Sequence, residues 1–132
     1  MTLLFLDHDC AALAPMAEAI ARHHGRLCDA WGAGWEPGHV RADARAALEE
    51  DGVRSLGLVA RSPAEVPLEE VDAVVAFVPD AGRLRLPAHT RRVDWRIPDP
   101  TSAPPAERGE AYRAARDEIT RRLRTLLAEI DP

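Results

Sequence analysis

An open parallel α/β sheet is the fold class this sequence predicts, and three observations carry it. Short apolar stretches alternate with segments of helical spacing along a chain of 132 residues, the pattern of strands joined by helical crossovers. Val71 to Val78 is almost continuously apolar, as in strands buried on both faces of a parallel sheet. The C-terminal segment places Tyr112, Ala115, Ile119, Leu123, Leu126, Leu127 and Ile130 on one stripe, as in a long helix packed against such a sheet. Crossovers in this fold are right-handed and helices cover both faces.

Taken in order, residues 2–7 read as the first strand, and Leu13 to His23 as a helix. Leu13, Met16, Ala17 and Ile20 follow the three-and-four spacing of a helix that buries one side. Pro15 suits its first turn, and Gly25 ends it. Arg26 to Trp31 reads as the second strand, followed by a turn-rich loop from Gly32 to Gly38. Val40, Ala44, Ala47 and Leu48 mark one face of a second helix that stops at Gly52. Leu56 to Ala60 reads as a short extended piece, and Ser62-Pro63-Ala64-Glu65 as a capped turn. After the strand at 71–78, Arg91 to Trp95 forms a fourth, more exposed strand. A proline-rich stretch from Pro98 to Pro105 precedes the last helix, which begins near Ala106 or Glu107. Ligands in such folds bind beyond the carboxyl ends of the strands, which places the loop after Asp7 at the expected site.

At 14.5 kDa the chain has the length of one domain, residues 1–132. It is 46% hydrophobic and 30% charged, the composition of a globular protein. The apolar runs are too short to span a bilayer, and the N-terminus lacks the basic segment and apolar core of a signal peptide. A cytoplasmic protein with no membrane partner is the expectation. The net charge is -5 and the basic residues are scattered among acids, which argues against a nucleic-acid partner. All the lysine-type positions are arginine: lysine, asparagine and glutamine are absent. Schiff-base and lysine-phosphate chemistry are thereby excluded. Cys10 and Cys28 lack any metal or redox spacing.

The segment Leu4-Phe5-Leu6-Asp7-His8-Asp9-Cys10-Ala11-Ala12-Leu13-Ala14-Pro15-Met16-Ala17-Glu18-Ala19-Ile20 resembles the opening of low-molecular-weight protein tyrosine phosphatases and the related arsenate reductases. That family reads apolar strand, Cys-x5-Arg-Ser, then Pro-Met-Ala-Glu-Ala. Ala33-Gly34-Trp35-Glu36-Pro37-Gly38 is similar to its Ala-Gly-Thr-x-Pro segment. Ala42-Asp43-Ala44 and Leu48 to Val53 are similar to its next helix. Trp95-Arg96-Ile97-Pro98-Asp99-Pro100 is similar to its Trp-x-x-x-Asp-Pro, and Tyr112 to Ile119 to its closing helix. The resemblance implies strand order 2-1-3-4, the first loop as a phosphate cradle and Asp99 as general acid. Aligned without gaps, the family nucleophile falls on Asp7, the phosphate-binding arginine on Leu13 and the serine on Ala14.

The altered residues remove the chemistry of the family. Asp7 forms no thiophosphate intermediate, and Leu13 has no guanidinium to grip two phosphate oxygens. His8, Asp9, Cys10, Ala11 and Ala12 contain none of the glycine or asparagine that lets loop amides converge on an anion. A carboxylate about 4 Å from a phosphate costs roughly 4 kcal/mol per charge pair at an effective dielectric of 20, whereas a helix N-terminus returns only about 0.3–2 kcal/mol. Two readings of Asp7 stay open. Asp7 or Asp9 simply caps the first helix, the reading favoured by residue type alone. Alternatively, the Asp7 carboxylate occupies the anion position and accepts the loop amides itself.

The resulting expectation is a degenerate family member, a binding or regulatory module with no catalytic residues, whose vestigial positions are Asp7, Leu13 and Asp99. Its ligand-binding residues would be Asp7, His8, Asp9, Cys10, Ala11, Ala12, Leu13, Ala14, Trp35 and Asp99, with no metal and no cofactor. The ligand would be a small cationic or neutral molecule, or an arginine from another protein. Leu3 to Asp9 also resembles the strand and Asp-x-Asp opening of haloacid dehalogenase-type phosphatases, which would make Asp7 a nucleophile beside magnesium. Those enzymes need a lysine, and this chain has none. A third alternative is a structural or oligomerisation module with a filled-in pocket. Cys10, close to a helix N-terminus, is a candidate for a lowered pKa; a bridge from Cys10 to Cys28 is geometrically conceivable with the strand order that the resemblance implies, but a reducing cytoplasm disfavours it. All five histidines read as structural. Trp31 reads as core, and Trp35 as an exposed anchor for a ligand or partner.

Overall fold

The computed structural model describes residues 1–25, 28–79 and 83–130. Its four strands are β1 (Thr2–Asp7), β2 (Asp29–Gly34), β3 (Ala73–Ala76) and β4 (Arg91–Asp94), and its long helices are α1 (Leu13–His24), α2 (Ala42–Glu50) and α3 (Arg108–Ile130). The strands pair in parallel in the order β2-β1-β3-β4, as the family resemblance implies. Asp7 pairs with Gly34 at the carboxyl end of the β1–β2 pair, so the loop after Asp7 opens where that end of the sheet meets α1.

Alternation along β1 sends its side chains to two different layers. Leu3 and Phe5 join the core shared by α1, α2 and α3. Leu4 and Leu6 face the opposite layer with Ala33, Val66, Val71, Val74 and Leu84. That second layer is covered by the one-turn 3-10 helices Pro63–Glu65 and Leu68–Glu70 rather than by long helices. β4 is an exposed edge strand, as its charged sequence predicts.

The elements depart from the sequence reading in a few places. β2 begins at Asp29 and continues through Gly34, so the expected loop at Gly32 is strand, and Arg26 and Leu27 lie outside the described residues. The glycines there serve close packing: a Cβ at Gly32 would lie 2.9 Å from the Ala14 carbonyl oxygen. α1 is buried from Leu13 through Ala21 rather than along one side. Val40 packs half-buried against the core but precedes α2. α2 ends as expected, with Gly52 at φ 73° and the Val53 amide donating to the Leu48 carbonyl at 2.9 Å. Residues 56–57 form a turn, with Gly57 at φ 87°, and residues 58–60 are irregular rather than strand. The Ser62 amide donates to the Glu65 carboxylate at 2.7 Å, bearing out the capped turn. β3 keeps only the central four residues of the expected strand. α3 starts at Arg108 after a 3-10 turn, and its buried stripe is Tyr112, Ala115, Ile119, Leu123 and Leu126, with Leu127 and Ile130 half-covered. Among the described residues, no helix is long and apolar enough to cross a membrane.

Candidate functional site

The loop from Asp7 to Leu13 is held by its outward carbonyls. The carbonyls of Asp7, His8, Asp9 and Ala11 accept from the amides of Trp35, Glu36, Gly38 and Arg41, the last three at 2.8 Å. Anchored so, the loop turns other N–H groups toward its own interior. The Asp7 side chain lies there. Its Oδ1 accepts from the Cys10 amide at 2.6 Å and its Oδ2 from the Ala14 amide at 2.9 Å. Ala14 is in the first turn of α1, where amides lack helical partners and the helix dipole favours negative charge.

This geometry fits both readings of Asp7: its Oδ2 accepts a first-turn amide of α1, as a helix cap does, while both oxygens lie inside the loop. The residue in the N-cap position is Ala12, which has no side-chain hydrogen bond to offer, and Asp9 caps nothing. Asp7 reaches the first turn from the strand end instead. It is 5% exposed, and burial pushes its carboxyl up to about 7, against the pull of the Ala14 and Cys10 amides and with a further rise from the charges of Asp9 and Asp99.

Cys10 contradicts the expectation of a reactive thiol. It is fully buried, and that burial raises its pKa to about 12 against the pull of the Arg61 backbone hydrogen bond. It is also the one described non-glycine residue with positive φ, at 52°. The strain is locked by β2: a Cβ on Gly34 would lie 2.5 Å from the Cys10 amide nitrogen, so only glycine permits the loop to pass. Both cysteines are free thiols, and Cys28 is half-buried just before β2.

Beside Asp7 lies a small cleft of about 70 Å³, lined by Asp7, His8, Asp9, Ala12, Leu13, Phe77, Val78, Ile97 and Asp99. It therefore brings together six of the ten expected binding residues. Cys10 and Ala11 are buried in the loop and Ala14 in the first turn of α1, and none of the three lines the cleft. Leu13, 5% exposed, forms an apolar wall of the cleft. Asp99 is exposed, and its Oδ1 accepts from the Thr101 amide at 2.9 Å and the Thr101 hydroxyl at 2.7 Å. The chain belongs to the low-molecular-weight phosphotyrosine protein phosphatase family. The family match spans residues 2–132.

Several solved structures share this phosphatase-family fold. An arsenate reductase in the phosphate-binding state is 22% identical, with TM-score 0.81 and 98% of each chain covered. An arsenate reductase from Archaeoglobus fulgidus is 26% identical, with TM-score 0.76 and 97% of this chain and 99% of that one covered. A YwlE mutant from Bacillus subtilis is 23% identical, with TM-score 0.79 and 100% and 99% covered. No curated protein sequence matches the chain.

Within this phosphatase-family domain, the tryptophans depart from expectation. Trp35 is half-buried away from the cleft, in the layer opposite the long helices, with the Arg83 guanidinium 4.3 Å from its ring centre. Trp31 is also half-buried, under the Arg61 guanidinium at 5.1 Å. Only Trp95 approaches the site, through contact with Phe77, which lines the cleft. His8 reaches Glu36 at 3.4 Å on the surface. Among the described residues, no three histidine, cysteine or acidic side chains come together in a metal-binding arrangement.

One buried network had no signal in the sequence. Glu18, 1% exposed, accepts from the Gly32 amide at 2.7 Å and pairs with Arg61 and, at 3.1 Å, with Arg22. Arg61 also donates to the Gly32 carbonyl at 3.1 Å. These side chains satisfy the outer edge of β2. A glutamate amid buried alanines demands a cationic partner, but nothing in the sequence points to Arg61.

Proposed function

We propose that this protein is a catalytically inactive phosphatase-like module that binds a cationic or neutral group, rather than a phosphatase or an arsenate reductase. The observation that carries the reading is the Asp7 carboxylate, whose two oxygens accept the Cys10 and Ala14 amides from inside the loop. A substrate phosphate would have to displace a covalently tethered group of its own charge type. It would also lose roughly 4 kcal/mol for each charge pair formed with ionised Asp7 at about 4 Å. Leu13 offers no compensating charge, and Cys10 is too buried and too weak an acid to replace the missing nucleophile.

The cleft favours positive charge by its composition. Asp7, Asp9 and Asp99 line it, and histidine is its sole basic residue type. Its small volume and the Leu13 wall also favour the reading of a filled pocket kept for structure, in which no ligand enters at all. Titration with N-acetylarginine amide, followed by amide chemical shifts of residues 8–13, separates the two. Shifts confined to the cleft support the binding module, and their absence at millimolar concentration supports the filled pocket. Hydrolysis of an aryl phosphate by the wild type, lost in Asp7→Ala, would overturn both.

A further inference from the structure

A larger hollow adjoins the cleft. It encloses about 670 Å³ between residues 96–104 and the N-terminal half of α3, and it shares Ile97 and Asp99 with the cleft. Pro98, Pro100 and Pro104 form one wall, and Ala111, Ala114 and Ala115 the other. Prolines bring no amide donors, and alanines leave space beside a helix, so the walls offer apolar contact and little hydrogen bonding.

The two ends of the groove differ in charge. Toward α3, Glu118 and Arg122 line it and neutralise each other at 2.7 Å. Toward the sheet, Arg96 lines the groove beside Asp99, and Asp99 leads to Asp9 and Asp7 in the cleft, whose wall holds no arginine. The span from the start of α3 at Arg108 to Arg122 is roughly 21 Å at 1.5 Å per residue. An extended chain covers that length with about six or seven residues at roughly 3.3 Å each.

We propose that this groove holds an extended apolar segment of another protein, which carries one arginine or lysine whose head group enters the cleft at Asp7, Asp9 and Asp99. The proposal rests on the cation-preferring reading of the cleft and adds the occupant of the groove beside it. Charge complementarity selects the partner: five acids (Asp7, Asp9, Asp99, Glu107 and Glu118) outnumber Arg96, Arg122 and His8 along the groove and cleft, so an acidic or phosphorylated segment would meet net negative charge. The cleft, at about 70 Å³, exceeds the roughly 10–15 Å³ that one water requires.

Selection of a random seven-residue peptide library displayed on phage against the full chain tests this. Enriched peptides are expected to carry an arginine or lysine beside a run of apolar residues. Replacing that basic residue by glutamine in the synthetic peptide should weaken binding about ten-fold. Ala114→Glu, at an exposed α3 position, should weaken it at least ten-fold, and Ala111→Glu provides a second block. N-acetylarginine amide should still shift cleft resonances in both variants. If the amide binds but no peptide is enriched over the Ala114→Glu control, the groove proposal fails and the cleft reading stands. If neither binds, both fail. Enrichment of acidic sequences, or of apolar ones indifferent to a basic residue, also overturns the proposal.

Discussion

Asp7 and Glu18 are both buried carboxylates beside α1, yet their surroundings could hardly differ more. Glu18 is held by two arginines and the Gly32 amide. Asp7 has two amides and no cation. Glu18 is a structural acid, closing the edge of β2 with its charge more than offset by the two arginines. Asp7 is an acid at the site, where a compensating cation would have to come from outside, and burial therefore raises its pKa. The two predict different responses to the same kinds of perturbation.

The largest effect is expected at the structural acid. Arg61→Ala leaves Glu18 buried with only the partly exposed Arg22, and breaking such a pair costs up to about 5 kcal/mol. Urea denaturation would measure it. A loss near zero would show that the Glu18 network does not hold β2, and the contrast with Asp7 would collapse.

The next effect is a pH dependence belonging to Asp7. Its folded pKa of about 7 lies above the ordinary 3.8, so the folded state binds the proton more tightly. The stability this group contributes is fully present below about pH 4 and is lost as pH rises to about 7. The difference of about three units, at 1.36 kcal/mol each, corresponds to on the order of 4 kcal/mol. Asp7→Asn should remove that slope, measured as the wild-type minus variant stability between pH 4 and 8. An unchanged slope would mean that Asp7 titrates as an ordinary carboxylate.

Much of the fold is legible in the sequence because periodic burial and the family motifs agree: β1, α1, the stop of α2 at Gly52 and the stripe of α3 all lie where the spacing puts them. The end of β2 is not, because glycine signals a turn. Gly32 and Gly34 are instead strand residues, with the Ala14 carbonyl and the Cys10 amide pressing against them. The site is legible as a position and less so as a geometry. Residue type alone favours a helix cap for Asp7, and only the folded loop brings the Cys10 and Ala14 amides to its side chain. Trp35 fails as a site residue because it lies in the layer opposite the long helices. Glu18 and Arg61 meet through tertiary structure that no local pattern encodes.

Smaller effects are expected at the thiols. A thiol with a pKa of about 12 is about one part in ten thousand ionised at pH 8, and the thiolate is the reacting species. Alkylation with iodoacetamide should modify half-buried Cys28 first and Cys10 only on unfolding. Mass spectrometry of the modified peptides checks the order, and rapid native labelling of Cys10 would show that the loop opens.

The central claim is that the anion cradle is filled by the protein's own carboxylate. Titration with inorganic phosphate at pH 8, followed by amide chemical shifts of residues 8–14, addresses it in the wild type and in a folded Asp7→Cys/Leu13→Arg variant. The account predicts no binding by the wild type and recovered binding, at least ten-fold tighter, in the double variant. Equal phosphate binding by both proteins would contradict it.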